Sequence, residues 1–349
     1  MKLAIVGYGG MGAWHHENIR ARIPEIEVVG AYDIREERQE EAKKQGLRTY
    51  NTFDELVSDD SIDIVTIATP NNFHKKQAIR CLESGKHVIC EKPVTMNADE
   101  LEEIIEVAKK CNKVFTVHQN RRWDRDFVMI KNIVESNTIG KPYMIESRVL
   151  GSKRVLNGWR GAKENGGGMV FDWGVHLIDQ ILYLTDSPVV EIYGHLFSIF
   201  SKEVDDNFKA LFKFENGLSA MIEVATNCFI PQARWHMSCE DGTAIIHDWS
   251  CNGTIIKLKD ESELAWSDVI VYTEAGPTRT MAPRPRETTE ELPLPEVTTD
   301  WSDYYRNVID HINGKADLIV KPEQSLRVMK VIDAIFESHR TQSMIKCRI

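Results

Sequence analysis

Met1-Lys-Leu-Ala-Ile-Val-Gly-Tyr-Gly-Gly-Met-Gly12 opens the chain, a short apolar run that breaks straight into Gly-x-Gly-x-x-Gly. That order predicts a strand, a tight turn and the start of a helix. Gly7 permits the turn off the strand, Gly9 lets the backbone come close to a pyrophosphate, and Gly12 lets the helix pack against the strand. Free N–H groups at the helix N-terminus then face the anion. Three glycines alone also mark ordinary turns, so the context decides. Val28-Val-Gly-Ala-Tyr32 is a second strand-like run, and it ends in Asp33, placed where a carboxylate takes the adenosine ribose hydroxyls of a dinucleotide. Tyr8, Gly10, Met11, Ile34 and Arg35 complete this end of the expected cofactor cradle. Asp33 would repel a 2′-phosphate and so favours NAD; Arg35, two residues on, keeps NADP open.

Apolar strands then alternate with longer helix-patterned segments, the rhythm of a parallel sheet covered by helices. Helices are expected over 11–22, 35–45, 53–57, 75–84 and 97–110, and strands over 62–67, 87–90 and 114–117. Ligands of such a sheet lie beyond the carboxyl ends of its strands. Four segments therefore converge on one crevice: Gly7 to Gly12, Ala68-Thr69-Pro70-Asn71, Glu91-Lys92-Pro93, and His118 to Trp123. A nucleotide-binding domain over residues 1–120 is expected, followed by a second domain over 121–349. In the second, helices are read at 127–136, 301–313 and 322–340, and strands at 143–150 and 189–199. Asn216-Gly217 joins a hairpin of 208–214 with 218–224, and Glu240-Asp-Gly242 joins another of 235–239 with 243–247. Residues 274–299, rich in Pro, Thr and Glu, read as a long loop. Strands with helices set apart suggest an α+β domain on a largely antiparallel sheet. Its second face needs a cover, which suggests an oligomer interface.

The 349 residues carry a net charge of -10, which argues against nucleic acid or an anionic membrane as the main partner. No apolar run reaches the length of a membrane span, and a first strand starting at Lys2 leaves no room for a signal peptide. Seven scattered cysteines without a Cys-x-x-Cys pair suggest reduced thiols in a cytoplasmic protein, and no metal site is expected.

Lys92 sits at the crevice mouth, where a cation interacts with a substrate oxygen and eases its deprotonation. Pro93 allows a cis bond before it. In Gly166-Gly-Gly-Met-Val-Phe-Asp-Trp-Gly-Val-His176, the glycines permit a sharp turn into a helix, and Asp172 and His176 fall four apart on one face. A carboxylate one turn from an imidazole orients it for use as a general base. Alternatively, Asp172 interacts with the helix N-terminus and His176 is a satisfied core histidine. His15 and His16 read as polar helix residues. Asn120, Arg121, Arg122 and Trp123 read as a substrate wall, the polar groups meeting hydroxyls and the indole covering a sugar ring. Trp159 and Arg160 would serve similarly, or as packing and surface residues.

On these residues the chain resembles the Gfo/Idh/MocA family of nicotinamide-dependent oxidoreductases over essentially its whole length. The matching pieces are Gly7 to Gly12, Ala68 to Asn71 with His74, Glu91-Lys92-Pro93, Trp159-Arg160, and Gly166-Gly-Gly with Asp172 and His176. The resemblance implies an α/β architecture: an N-terminal Rossmann domain, then an α+β domain with a large, mostly antiparallel open-faced sheet, in homodimers or homotetramers. It also implies Lys92, Asp172 and His176 as the catalytic set, with a sugar, cyclitol or glycoside as substrate. Two other readings stay open. One is a tightly held NAD used in an oxidation and elimination cycle that cleaves a glycoside; the other is a non-catalytic sensor.

Overall fold

The computed structural model describes residues 1–154, 156, 158–259, 270–279 and 286–349. Its first third alternates β1 (Lys2–Val6), α1 (Gly10–Arg22), β2 (Glu27–Tyr32), α2 (Glu36–Lys44), β3 (Arg48–Thr49), α3 (Phe53–Val57), β4 (Ile64–Ile67), α4 (Asn71–Glu83), β5 (His87–Cys90), α5 (Ala98–Cys111) and β6 (Phe115–Val117). The six strands form a parallel sheet in the order β3-β2-β1-β4-β5-β6. Strands covered by helices on both faces read as continuous apolar runs. Accordingly all four residues of β4 are buried. The chain order reverses between β1 and β4, and this switch point opens the crevice where such folds bind ligands.

Helix α5 shows how local sequence sets the boundaries. The Asn97 side chain accepts the Glu100 N–H, Leu101, Ile104, Ile105 and Ala108 make the buried face, and Asn112 ends the helix with φ +51°. Helix α4 starts four residues before its expected Lys75, because Pro70 precedes its first turn, where no N–H is missed. Asn71 and His74 are thereby carried into the helix.

The second part holds α6 (Arg125–Ser136), β7 (Pro142–Leu150), α7 (Val175–Tyr183), β8 (Val189–Phe197), β9 (Asn207–Phe214), β10 (Ser219–Ala225), β11 (Trp235–Cys239), β12 (Gly242–Ile246), β13 (Gly253–Leu258), β14 (Ile270–Thr273), β15 (Gly276–Arg279), β16 (Thr289–Leu292), α8 (Ser302–Ile312), α9 (Pro322–Thr341) and β17 (Ile345–Lys346). Nine strands form a mixed sheet, β16-β13-β12-β11-β7-β10-β9-β8-β17, antiparallel except for β7 beside β10. Both expected hairpins are present, and Gly217 takes the positive φ its turn requires. The stretch read as a loop over 274–299 is corrected in part. Within it β16 extends the free edge of β13, and β15 pairs with β14. An edge strand can draw in a partner of weak strand composition because its own N–H and C=O groups are unpaired; residues 280–285 lie outside the described set.

One face of this sheet packs on α7 and α9. On β9, Phe208, Ala210, Phe212 and Phe214 are buried while Lys209, Leu211 and Lys213 face outward. Tyr193 and Leu211 are exposed on that outer side, beside Arg148 paired with Glu146 and Glu223. Among the described residues no helix is long and apolar enough to cross a membrane, and all seven cysteines are free thiols.

Candidate active site

A cleft of about 1740 Å³ runs from the first glycine turn to the start of α7. Gly7, with φ +91°, packs so closely that a Cβ would stand 2.7 Å from Ala68 O. A Cβ on Gly12 would stand 2.0 Å from Gly7 O, so α1 lies directly on the turn. Gly9 and Gly10 have nothing within 4 Å of an added Cβ and border the cleft, the open cradle that a pyrophosphate needs. Met11, Ile34, Arg35, Ala68, Thr69 and Pro70 also line it. Asp33 is held by backbone N–H groups, Tyr8 N to Oδ2 at 2.8 Å and Arg35 N to Oδ1 at 2.9 Å. The Arg35 guanidinium stands 3.8 Å from Asp33 and 3.5 Å from Glu37.

Some expected contributors act from behind. Tyr8 turns its ring inward, its hydroxyl 2.7 Å from His16 Nδ1. His74 is buried between Thr69 O at 2.8 Å and Pro93 O at 3.1 Å, joining two of the converging loops. His15 and His16 lie in α1 as expected, and both are buried and hydrogen-bonded inside the domain.

At the far end Lys92, Asp172 and His176 converge with Glu91, Asn120, Asn71 and the Trp159-Arg160 pair. The Lys92–Pro93 bond is cis. Lys92 Nζ donates to Asp172 O at 2.9 Å and lies 3.4 Å from Asp172 Oδ1, which also meets Arg160 Nε at 3.2 Å. Burial lowers the Lys92 pKa, opposed by the charges of Asp172 and Glu91. For Asp172 burial works against ionisation, but Lys92 and Arg160 outweigh it and its pKa falls. His176 is held well below 6.5 by burial first, then by Lys92 and Arg121, so its imidazole is neutral.

The glycine run provides the turn. Gly166 and Gly168 have φ +72° and +106°, Asn71 Nδ2 donates to Gly166 O at 2.9 Å, and Asp205 receives the Val170 N–H at 2.8 Å. The expectation that Asp172 orients His176 from one turn away is corrected. Residues 170–174 form a wide turn in which the Val175 N–H reaches Val170 O. Asp172 pairs with Lys92 and Arg160, and among the described residues His176 Nδ1 has no partner.

The turn at residues 120–123 points its side chains two ways. Asn120 and Arg121 enter the cleft. Arg122, expected in the substrate wall, instead forms a bidentate pair with buried Asp179 at 2.8 and 2.6 Å and donates to Ile319 O. Trp123 packs against Tyr304, ring centres 5.8 Å apart. Besides the expected Trp159, the cleft is lined by an aromatic residue given no role from the sequence, Trp173. Arg121 lies 4.3 Å over the Trp173 ring and 5.6 Å from Trp249, on the loop after β12. Trp173 stands inside the quoted Gly166 to His176 stretch and carried a signal; Trp249 sits in an unpatterned loop and did not.

The sequence matches the description "Oxidoreductase family, NAD-binding Rossmann fold" over residues 1–119 and the GFO/IDH/MocA C-terminal domain over 127–245. The chain belongs to the Gfo/Idh/MocA family. An NAD-binding protein from Listeria innocua shares 43% identity, with 99% of both chains covered and a TM-score of 0.93. The scyllo-inositol 2-dehydrogenase (NADP(+)) IolW of Bacillus subtilis is 25% identical over 99% of this chain and 95% of its own length. An oxidoreductase of Schizosaccharomyces pombe is 35% identical, but that match spans only 54% of this chain and 52% of the relative. As a Gfo/Idh/MocA protein the chain is an NAD-binding oxidoreductase, in keeping with the open cradle at Gly9 and Gly10.

Proposed function

We propose that the protein transfers hydride between a secondary hydroxyl of a sugar, cyclitol or glycoside and NAD, with Lys92, Asp172 and His176 as the reacting set. The observation that carries this reading is the meeting, at one end of the glycine-lined cleft, of a neutral buried imidazole and an ammonium. Gly7, Gly9, Gly10 and Asp33 would hold the cofactor, which supplies the hydride acceptor. His176 takes the hydroxyl proton at Nε2, since its Nδ1 is enclosed. Lys92 Nζ donates to the same oxygen and stabilises the alkoxide as it forms. Asp172 holds Lys92 in place and favours its charged form. Arg121, stacked on Trp173, and Asn120 meet the remaining hydroxyls, and the indole covers the ring face. The inositol activity of the Bacillus relative supports a polyol substrate, and the ordered Asp33 carboxylate supports NAD as the preferred cofactor. The exposed Tyr193 and Leu211 face suits a second copy of this chain in a homodimer or homotetramer, and the free thiols suit the cytoplasm.

The test is to mix the protein with NAD or NADP and a panel of inositols, free hexoses and aryl glycosides, following NADH absorbance and products by mass spectrometry. Stoichiometric NADH with a ketone product is expected. Conversion without net NADH would replace this reading with the oxidation and elimination cycle, and a panel left unchanged would favour a sensor.

A further inference from the structure

The loop between β12 and β13 carries Trp249, and that loop is tied to itself. Asp248 Oδ1 accepts the N–H groups of Ser250 at 2.9 Å and Asn252 at 3.2 Å. Asp248 Oδ2 accepts Asn252 Nδ2 at 2.8 Å, and the His247 N–H donates to Asn252 O at 2.7 Å. An aspartate that bonds the backbone two residues on fixes a turn. The indole presented by this turn is 52% exposed, although a large aromatic ring gains by burial.

Two guanidiniums lie against the ring, Arg234 at 4.7 Å and Arg121 at 5.6 Å. Arg234 is buried, pairs with Asp126 at 3.2 Å, and donates to Ser147 Oγ at 2.6 Å and Gln180 Oε1 at 3.4 Å. Covering that network accounts for the packed part of Trp249 and leaves its exposed half without a role. Trp173 links this half to the reacting groups. On the cleft wall, its ring centre is 5.9 Å from that of His176 and 5.8 Å from that of Trp249. A sugar ring seated on Trp173 with a hydroxyl at His176 thus has a second indole beside the first.

The polar groups around the second indole are already used: Asp248 and Asn252 hold the loop, and Arg234 serves Asp126, Ser147 and Gln180. A second sugar would bring hydroxyls that find few partners there. An aromatic ring needs only another ring to pack on.

We propose that Trp249 determines specificity: the substrate is an aryl glycoside, its sugar ring oxidised against Trp173 while its aromatic aglycone packs on Trp249. The inference rests on the hydride-transfer reading of the cleft and narrows its substrate. The aglycone takes no part in the transfer, and the glycosidic bond stays intact.

The test compares, with NAD, the steady-state kinetics of methyl and phenyl glycosides of the same sugars in both anomers, since each pair presents the same oxidisable ring. The wild type is expected to favour the phenyl glycoside in kcat/KM by about tenfold, the scale of one aromatic contact. Trp249→Ala is expected to bring that ratio within about twofold of one, by raising KM for the phenyl glycoside with kcat little changed. Trp249→Phe is expected to keep most of the preference. If Trp249→Ala does not fold, Trp249→Leu, which still covers Arg234 but has no aromatic face, carries the same expectation. A wild-type ratio near one, a ratio unchanged in Trp249→Ala, or an equal loss on both glycosides would overturn the proposal. So would a disaccharide favoured as strongly as the phenyl glycoside. Turnover of inositols or free hexoses with none of any glycoside would overturn the aglycone site alone, whereas no turnover of any of these compounds would overturn the hydride-transfer reading with it.

Discussion

At the scale of single residues, two side chains in the proposed reacting set make opposite demands on pH. His176 must be neutral to accept a proton, and burial with Lys92 and Arg121 nearby holds its pKa well below 6.5. For alcohol oxidation, kcat/KM is expected to stay level as pH falls through 6.5, with the acid limb lying lower. An inflection at 6.5 or above would assign the base to another group. His176→Ala is expected to lower kcat by about 10²–10⁴-fold, with NADH affinity by fluorescence little changed. Lys92 must be charged, and its already lowered pKa is propped up by Asp172. Asp172→Asn removes that support and leaves Arg160 and Arg121 acting on the amine, so the basic limb of the profile is expected to move to lower pH. An unmoved limb would mean that Lys92 does not set it.

At the scale of elements, the two glycine turns hold the site together by contact. Gly12→Ala would drive a Cβ into Gly7 O and push α1 away from its strand. Overpacking of this kind typically costs 1–3 kcal/mol, so a lower melting temperature and a weaker NADH complex are expected together. The second turn hangs on Asp205, whose carboxyl burial pushes up to about 6 from 3.8. Between those values the folded protein keeps a proton that the unfolded chain has released, so this group's contribution to stability weakens as pH rises through the window. Asp205→Asn is expected to flatten that part of the melting temperature against pH, and an unchanged slope would place the titrating group elsewhere. Elements whose signal is local were legible in the sequence. The glycine turn, the Asn-Gly hairpin and the apolar face of α5 depend on neighbours within a few residues. The wide turn at 170–174 departs from helical period by one residue, which spacing alone does not reveal, and β16 owes its form to an edge far away in sequence. For the same reason Lys92, Asp172 and His176 could be gathered from motif and crevice, while the partner of Asp172 could not.

At the scale of the whole molecule, the last two helices return to the first sheet. Trp301, just before α8, packs on Trp14 of α1, with ring centres 4.7 Å apart, and Tyr305 reaches His15. Thr116 on β6 donates to Val320 O at 2.8 Å, and Asp333 of α9 receives the Ala98 N–H at 2.9 Å, at the head of α5. Helices α8 and α9 each bury one face, and nothing in their own sequences says which sheet that face meets. For protein engineering the consequence is practical: the nucleotide module is not an excisable cassette. A chimera or fragment cut at residue 120 would leave behind the tyrosine that satisfies His15 and the carbonyl that satisfies Thr116. Such a fragment is expected to melt early and to bind no NADH by fluorescence, whereas a transplant that also carries residues 300–341 would bring its own cover.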